Sequence, residues 1–414
     1  MHAATRAKLL KLSLLFVSIL LLAFCILWTL LLAGIWATVD ARIDFFAFWG
    51  GASLALEGDA AAAYDDVRMT EKQLSLPGSF HGVFKWLYPP TFFLFLLPLG
   101  LLPMAAALAV WVTTTAAVMF SALRRITRDL SLLLLAFLFP ATYFNFLIGQ
   151  NGMLTAGLFA WGVLLLRDRP ILGGALLGLM TYKPQFFPLI VLALLVSRQR
   201  SAAAAAVASA SALALVSLAL FGFDSWSAFY DAATGTGGDI YSSSPFVHLD
   251  KMQSISAALR HAGASAPLSQ VSQTLTGLTC VGVVVWLWRK EVANEYLWAG
   301  LCLAALLATP YVYHYDLTLF GLALLWLGIQ MHRSGRLQRW HWLMFSAAWS
   351  LPLSGPLIAR YTDVVIGPVV LAGFLLLVIL EVKAAEQSSD LNSVLESAPL
   401  LVATPTISTA TNTL

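Results

Sequence analysis

"LSLLFVSILLLAFCILWTLLLAGIWAT", residues 12–38, carries no charged side chain and exceeds the ~20 residues that cross a bilayer as a helix. Arg6, Lys8 and Lys11 precede it. The run is longer than the core of a secretory signal peptide. It therefore reads as a retained first membrane helix with its basic end in the cytoplasm. The rest of the chain agrees. Of 414 residues, 59% are hydrophobic and 11% charged, too few charges to cover the surface of a soluble protein of this size. The class is an all-α, polytopic integral membrane protein. The alternating strands of a membrane barrel are absent. A net charge of +3 gives no reason to expect a nucleic-acid partner. Cys25, Cys280 and Cys302 sit inside apolar runs and read as small hydrophobes.

Further apolar segments follow at about 91–123, 130–147, 151–167, 170–182, 184–197, 201–222, 270–288, 294–310, 314–331, 341–358 and 362–383. Several are short. The pair broken around Lys183-Pro184 predicts interrupted helices. Pro98 and Pro103 interrupt 91–123, which reads either as a short dipping helix before one full pass or as two thin passes. "GGALLGLM" reads as a surface for close helix packing. Placing the basic clusters (Arg124/Arg125/Arg128, Arg167/Arg169, Arg198/Arg200, Arg289/Lys290 and 332–339) in the cytoplasm gives about twelve crossings with both termini cytoplasmic. The domain is a single transmembrane unit over 1–383. Residues 39–88 form a long outer loop with interfacial helices, and 223–269 form a second outer loop with the character of a lid. The tail, 384–414, reads as disordered.

This topology gathers the unusual polar residues on the outer face. They fall in "DARID" (40–44), "WLYPPT" (86–91), "IGQNG" (148–152), "TYKPQ" (181–185), "SPFVHLDKMQS" (244–254) and "TPYVYHYD" (309–316). Lys183, set amid apolar helix, requires an anionic partner, because a lone charge at membrane depth costs several kcal/mol. Asp316 reads as an orienter of His314 or as a helix cap. Neither a phosphate-cradling glycine loop nor a convincing metal-ligand spacing is present.

The order of Asp-Phe after the first helix, Tyr-Pro-Pro, Gly-Gln-Asn, Lys-Pro and a late His-Tyr pair resembles glycosyltransferase family 87, of the GT-C superfamily. The resemblance spans most of 1–383. Two motifs depart from the family pattern. Met252-Gln253-Ser254 stands where Asn-Gln-Ser is usual, and Thr309-Pro310-Tyr311-Val312-Tyr313-His314 replaces a Ser-Pro-x-Ser-Trp-x-His run. The resemblance implies a polyprenyl-phosphate sugar donor, most simply mannose, a lipid or glycan acceptor and no cofactor. It implies an inner-membrane enzyme acting at its outer face, with Asp44 as general base and Asp40 as its competitor. Lys183, Lys251 and His314 are candidates for holding the donor phosphate. His248, Gln150, Asn151 and Tyr88 complete the donor-binding set. The competing readings are a transporter or flippase of an amphiphilic envelope precursor, and a non-catalytic assembly subunit.

Overall fold

The computed structural model describes residues 43–75, 84–235 and 248–397. The opening apolar run, Asp40 and most of the glycine- and serine-rich "GTGGDIYSSSPFV" stretch lie outside the described residues. Among the described residues every regular element is helical, apart from one isolated antiparallel bridge between Met252 and Tyr313.

Helix α1, Phe45–Leu56, begins directly after Asp44. It was expected to lie flat on the membrane as an amphipathic helix. Instead nearly every position is buried, from Phe45 and Phe48 to Ala52 and Leu54. Its glycines explain the fit, since a Cβ on Gly51 would press on the Trp86 ring and one on Gly50 would meet the Met69 sulfur. The returning chain closes over it with aromatics. Trp86 stacks on Phe93 at 4.4 Å, Phe48 meets Phe92 edge-on at 5.1 Å, and Phe92 stacks on Tyr182 at 4.8 Å. Such pairs contribute about 0.5–1.5 kcal/mol each beyond area burial. Helix α2, Asp66–Leu74, is capped by the Asp65 carboxylate and completes this outer layer.

Residues 90–126 resolve the two readings left open for that segment. A 3-10 turn over Pro90–Phe92 leads into the short α3, Phe93–Gly100, and then into the full-length α4, Met104–Ile126. Helices α5, Leu130–Phe137, and α6, Pro140–Ile148, form a pair bent by 49°. Pro140 opens the second member, as its fixed φ and missing N–H favour. Helix α7 covers Gly152–Leu165. Helix α8, Pro170–Gly178, and its 3-10 extension to Tyr182 are separated from α9, Phe187–Val196, at the expected Lys183-Pro184 break. Helix α10, Arg200–Gly235, bends at Gly222, whose φ of +73° is a conformation that glycine adopts without steric cost. Residues 223–269, expected as a loop, are therefore largely helical where described, and include the short α11, Ile255–His261. Helices α12 (Ala266–Leu287), α13 (Asn294–Ala308), α14 (Thr318–Arg333), α15 (Arg339–Thr362) and α16 (Gly367–Ser397) complete the bundle. The last of these takes in residues 384–397, which sequence had placed in a disordered tail.

The expected count of about twelve membrane helices is not supported. Five helices in the described residues are long and apolar enough to cross a bilayer, or six if the bent pair is one span. Six other apolar helices have 10–17 residues, and at 1.5 Å per residue they fall short of the ~30 Å hydrocarbon core. The bundle nevertheless has two chemically distinct ends. Ion pairs Lys290–Glu386 (2.9 Å), Arg336–Glu381 (3.1 Å) and Arg333–Glu295 (2.7 Å) tie α12, α13, α14 and α16 together at the basic end. At the other end, Trp49 Nε1 donates to the Leu102 carbonyl at 3.0 Å and the His261 ring lies 3.1 Å from the Ala359 carbonyl oxygen. The polar stretches collect there.

Candidate active site

Asp44 occupies the position that caps α1, yet its side chain makes no capping hydrogen bond. A capping Asp normally accepts from the backbone N–H two or three residues on. Here the carboxylate instead accepts from Gln150 Nε2 at 2.9 Å. The other end of that amide, Oε1, accepts from the Asn151 backbone N–H at 3.3 Å and from the Tyr88 hydroxyl at 3.4 Å. One side chain thus joins three of the predicted stretches. The protein packed around Asp44 pushes its pKa above the ordinary carboxylate range, against the Gln150 hydrogen bond and the charges of Lys251 and His248, which pull it down.

The Gln150 loop is shaped by its neighbours. Gly149 ends α6 in a left-handed conformation, φ +70°, and a Cβ there would strike Phe45. Trp111 Nε1 donates to the Gly149 carbonyl at 3.0 Å. Asn145, which the sequence reading passed over, is fully buried and holds the loop from below. Its Oδ1 accepts from the Gly152 N–H at 2.6 Å, and its Nδ2 donates to the Tyr315 carbonyl at 3.0 Å. Thr318 Oγ1 donates to the Gly152 carbonyl at 2.8 Å. The available signal was an Asn inside the apolar "PATYFNFLIG". Asn151 itself is buried, and its amide makes no close hydrogen bond, interacting only loosely with the Tyr88 hydroxyl.

Lys183 finds its anion in Asp316. Both are buried, and Lys183 Nζ bonds Asp316 Oδ1 directly. The second carboxylate oxygen accepts from the Tyr313 N–H at 3.0 Å. Asp316 therefore does neither job predicted for it, because it neutralises a lysine. The reverse also holds: the pair has no net charge left for a phosphate, which weakens the donor role expected of Lys183. Its ammonium also lies 5.6 Å from the centre of the Tyr315 ring.

His314 and Lys251 are brought together by backbone. The Gln253 N–H donates to the Val312 carbonyl at 2.6 Å and the His314 N–H to the Lys251 carbonyl at 3.1 Å, around the Met252–Tyr313 bridge. The His314 ring is buried against Phe144, 4.4 Å between ring centres, and its Nδ1 has no partner. Burial, reinforced by the Lys251 charge, pushes its pKa down to about 3. At neutral pH it is uncharged, a hydrogen-bonding group and not a cation. His248 is more open, with its Nδ1 3.9 Å from the Asp250 carboxylate, and partial burial lowers its pKa as well. Gln253, named above only for its motif, is fully buried without an amide partner, wedged between Gly355 and Gly367.

Asp44, Tyr88, Gln150, Asn151, Lys183, Lys251 and His314 thus share one end of the bundle, with His248 at its margin. Asp40 lies outside the described residues. What results is a carboxylate held by an amide, a nearby ammonium, an uncharged imidazole and buried amides without close partners. That set can accept a proton from a hydroxyl and hydrogen-bond a polyhydroxylated ligand. Among the described residues no three His, Cys, Asp or Glu side chains gather in a metal-binding group.

The family model described as glycosyltransferase family 87 matches residues 86–310. That range contains Tyr88, Gln150, Asn151, Lys183, His248 and Lys251; His314 lies just past its end, and Asp44 lies well before its start. No curated protein and no solved structure gives a match.

Proposed function

The chain belongs to glycosyltransferase family 87 and is a membrane glycosyltransferase, and from that premise we propose how its transfer runs. The donor is a hexose, mannose in the first instance, joined through one phosphate to a polyprenol. The acceptor is a hydroxyl of a lipid or glycan at the outer face of the membrane. Asp44 takes the proton of that hydroxyl. The acceptor oxygen forms a bond to the anomeric carbon as the bond from that carbon to the phosphate oxygen breaks. The electron pair leaves on polyprenyl phosphate, and the configuration inverts. A single carboxylate suffices because the phosphate is already a good leaving group, unlike the departing sugar oxygen in hydrolysis.

The observation that carries this reading is the uncapped Asp44 carboxylate, aimed at Gln150 with Lys251 close enough to influence it. Lys251 is the cation assigned to the donor phosphate. Neutral His314 and the loosely held Asn151 amide are assigned to sugar or phosphate oxygens.

The test uses purified protein in proteoliposomes with radiolabelled polyprenyl-phosphate mannose and a membrane lipid extract. Wild type transfers label, and Asp44→Asn loses about 10²–10⁴-fold in rate, the range of a positioned general base. Since the base works ionised and burial raises its pKa, wild-type transfer falls with pH sooner than an ordinary carboxylate would require. Undiminished transfer by Asp44→Asn removes it as the base. Absence of transfer from every hexose donor favours the transport reading.

A further inference from the structure

A cavity of about 750 Å³ opens at the basic end of the bundle, between α5, α14 and α15. Its mouth carries Arg125, Arg128, His332 and Arg333, and its depth is apolar, with Phe139, Leu324 and Trp349 among the lining residues. Arg333 is tied to Glu295 at 2.7 Å. Asp129, also at the mouth, spends a carboxylate oxygen on the Ser131 and Leu132 N–H groups at 2.9 and 3.2 Å. Arg125 and Arg128 are exposed, and among the described residues neither forms an ion pair.

The shape follows from the sequence of α14. Gly321, Leu325, Gly328 and His332 recur at helical spacing and line the cavity together. The two glycines let Phe139 and Phe345 pack directly against α14, since a Cβ would come within 2.9 and 3.5 Å of those rings. From Gly321 to Arg333 is twelve residues (333 − 321) on one helix, a rise of about 18 Å. The cavity is therefore deep enough for much of an acyl or prenyl chain. Beside it, Trp340 and Leu343 leave 52% and 76% of their surface uncovered, as side chains facing lipid would.

The geometry points to a second binding site here, for a phosphate-bearing membrane lipid. Its head sits on Arg125 and Arg128, and its chain fills the space between Phe139, Leu324, Phe345 and Trp349. Basic pockets between membrane helices recognise anionic lipid heads in this way, and the volume suits a lipid-sized occupant. The site is independent of the transfer reaction and of Asp44.

The full-length protein, stripped of lipid in detergent, is titrated with dioleoyl phosphatidylglycerol or dioleoyl phosphatidylcholine and read by native mass spectrometry. Wild type binds one phosphatidylglycerol about tenfold more tightly than phosphatidylcholine. Arg125→Gln/Arg128→Gln removes that preference, whereas Arg167→Gln/Arg169→Gln, another basic pair at the same end, keeps it. Ser346→Trp, which fills the cavity, weakens both lipids while leaving the melting temperature near wild type. The proposal is overturned if the first pair keeps the preference, if the second pair loses it equally, or if Ser346→Trp binds as wild type does. Displacement of the lipid by millimolar inorganic phosphate would also overturn it, because the apolar lining would then contribute nothing.

Discussion

Asp44 and Asp316 are both carboxylates beside helix starts, and the fold uses them in opposite ways. Asp44 forgoes its cap and turns to an amide, and among the described residues no cation bonds it directly. Asp316 is consumed by Lys183 inside the protein. Removing one partner of a buried pair strands the other charge and costs about 3–5 kcal/mol, whereas replacing both with apolar groups of similar volume is often nearly neutral. Lys183→Ala and Asp316→Asn each lower the melting temperature of detergent-purified protein strongly. The double variant Lys183→Met/Asp316→Leu recovers most of the loss in the same thermal-unfolding measurement. A double variant as unstable as the sum of the singles would show that the two residues act separately.

At the scale of elements, the shortness of α8 is compensated by how closely it packs. A Cβ on Gly174 would run into the Ala202 backbone of α10, and one on Gly178 would run into Ala206. With hydrocarbon outside as apolar as the side chains inside, such small-residue contacts are what hold membrane helices together. Gly174→Ala therefore destabilises by about 1–3 kcal/mol, the usual cost of overpacking. Gly282→Ala on α12, where nothing lies within 4 Å of the new Cβ, stabilises by up to about 1 kcal/mol through helix propensity. Thermal unfolding of the two variants side by side checks this, and equal shifts would contradict the packing argument. The "GGALLGLM" stretch made this contact legible in sequence. The burial of α1 was not legible, because the sequence reading ran it into the acidic "EGDAAAAYDD" that follows as one interfacial stretch, and only the return of Trp86, Tyr88 and Phe92 covers it.

At the scale of the whole molecule, the two ends of the bundle differ in chemistry. The polar groups assigned here to the sugar and its phosphate lie at one end, and arginine-rich turns at the other, the asymmetry that sets orientation in a bilayer. In a chain whose native cysteines are replaced by Ala, Ala262→Cys and Asp363→Cys react with an impermeant thiol reagent from one side of sealed vesicles. Asp168→Cys and Ser334→Cys react only from the other side. Labelling of all four from one face would be incompatible with this arrangement.

Hydropathy is a property of neighbours along the chain. The sequence alone therefore determined the helical membrane class, the break at Lys183-Pro184, the end of an apolar segment at Gly222 and the stretches that hold the polar site. Pairing depends instead on which elements touch. Gln150 reaches Asp44 across 106 residues and Asp316 reaches Lys183 across 133, and no local pattern encodes either contact. The tertiary structure alone decided which charges are spent on each other. It also decided that Asn145 and Gln253 belong beside the site, and that, among the described residues, six further apolar helices are too short to cross the bilayer unaided.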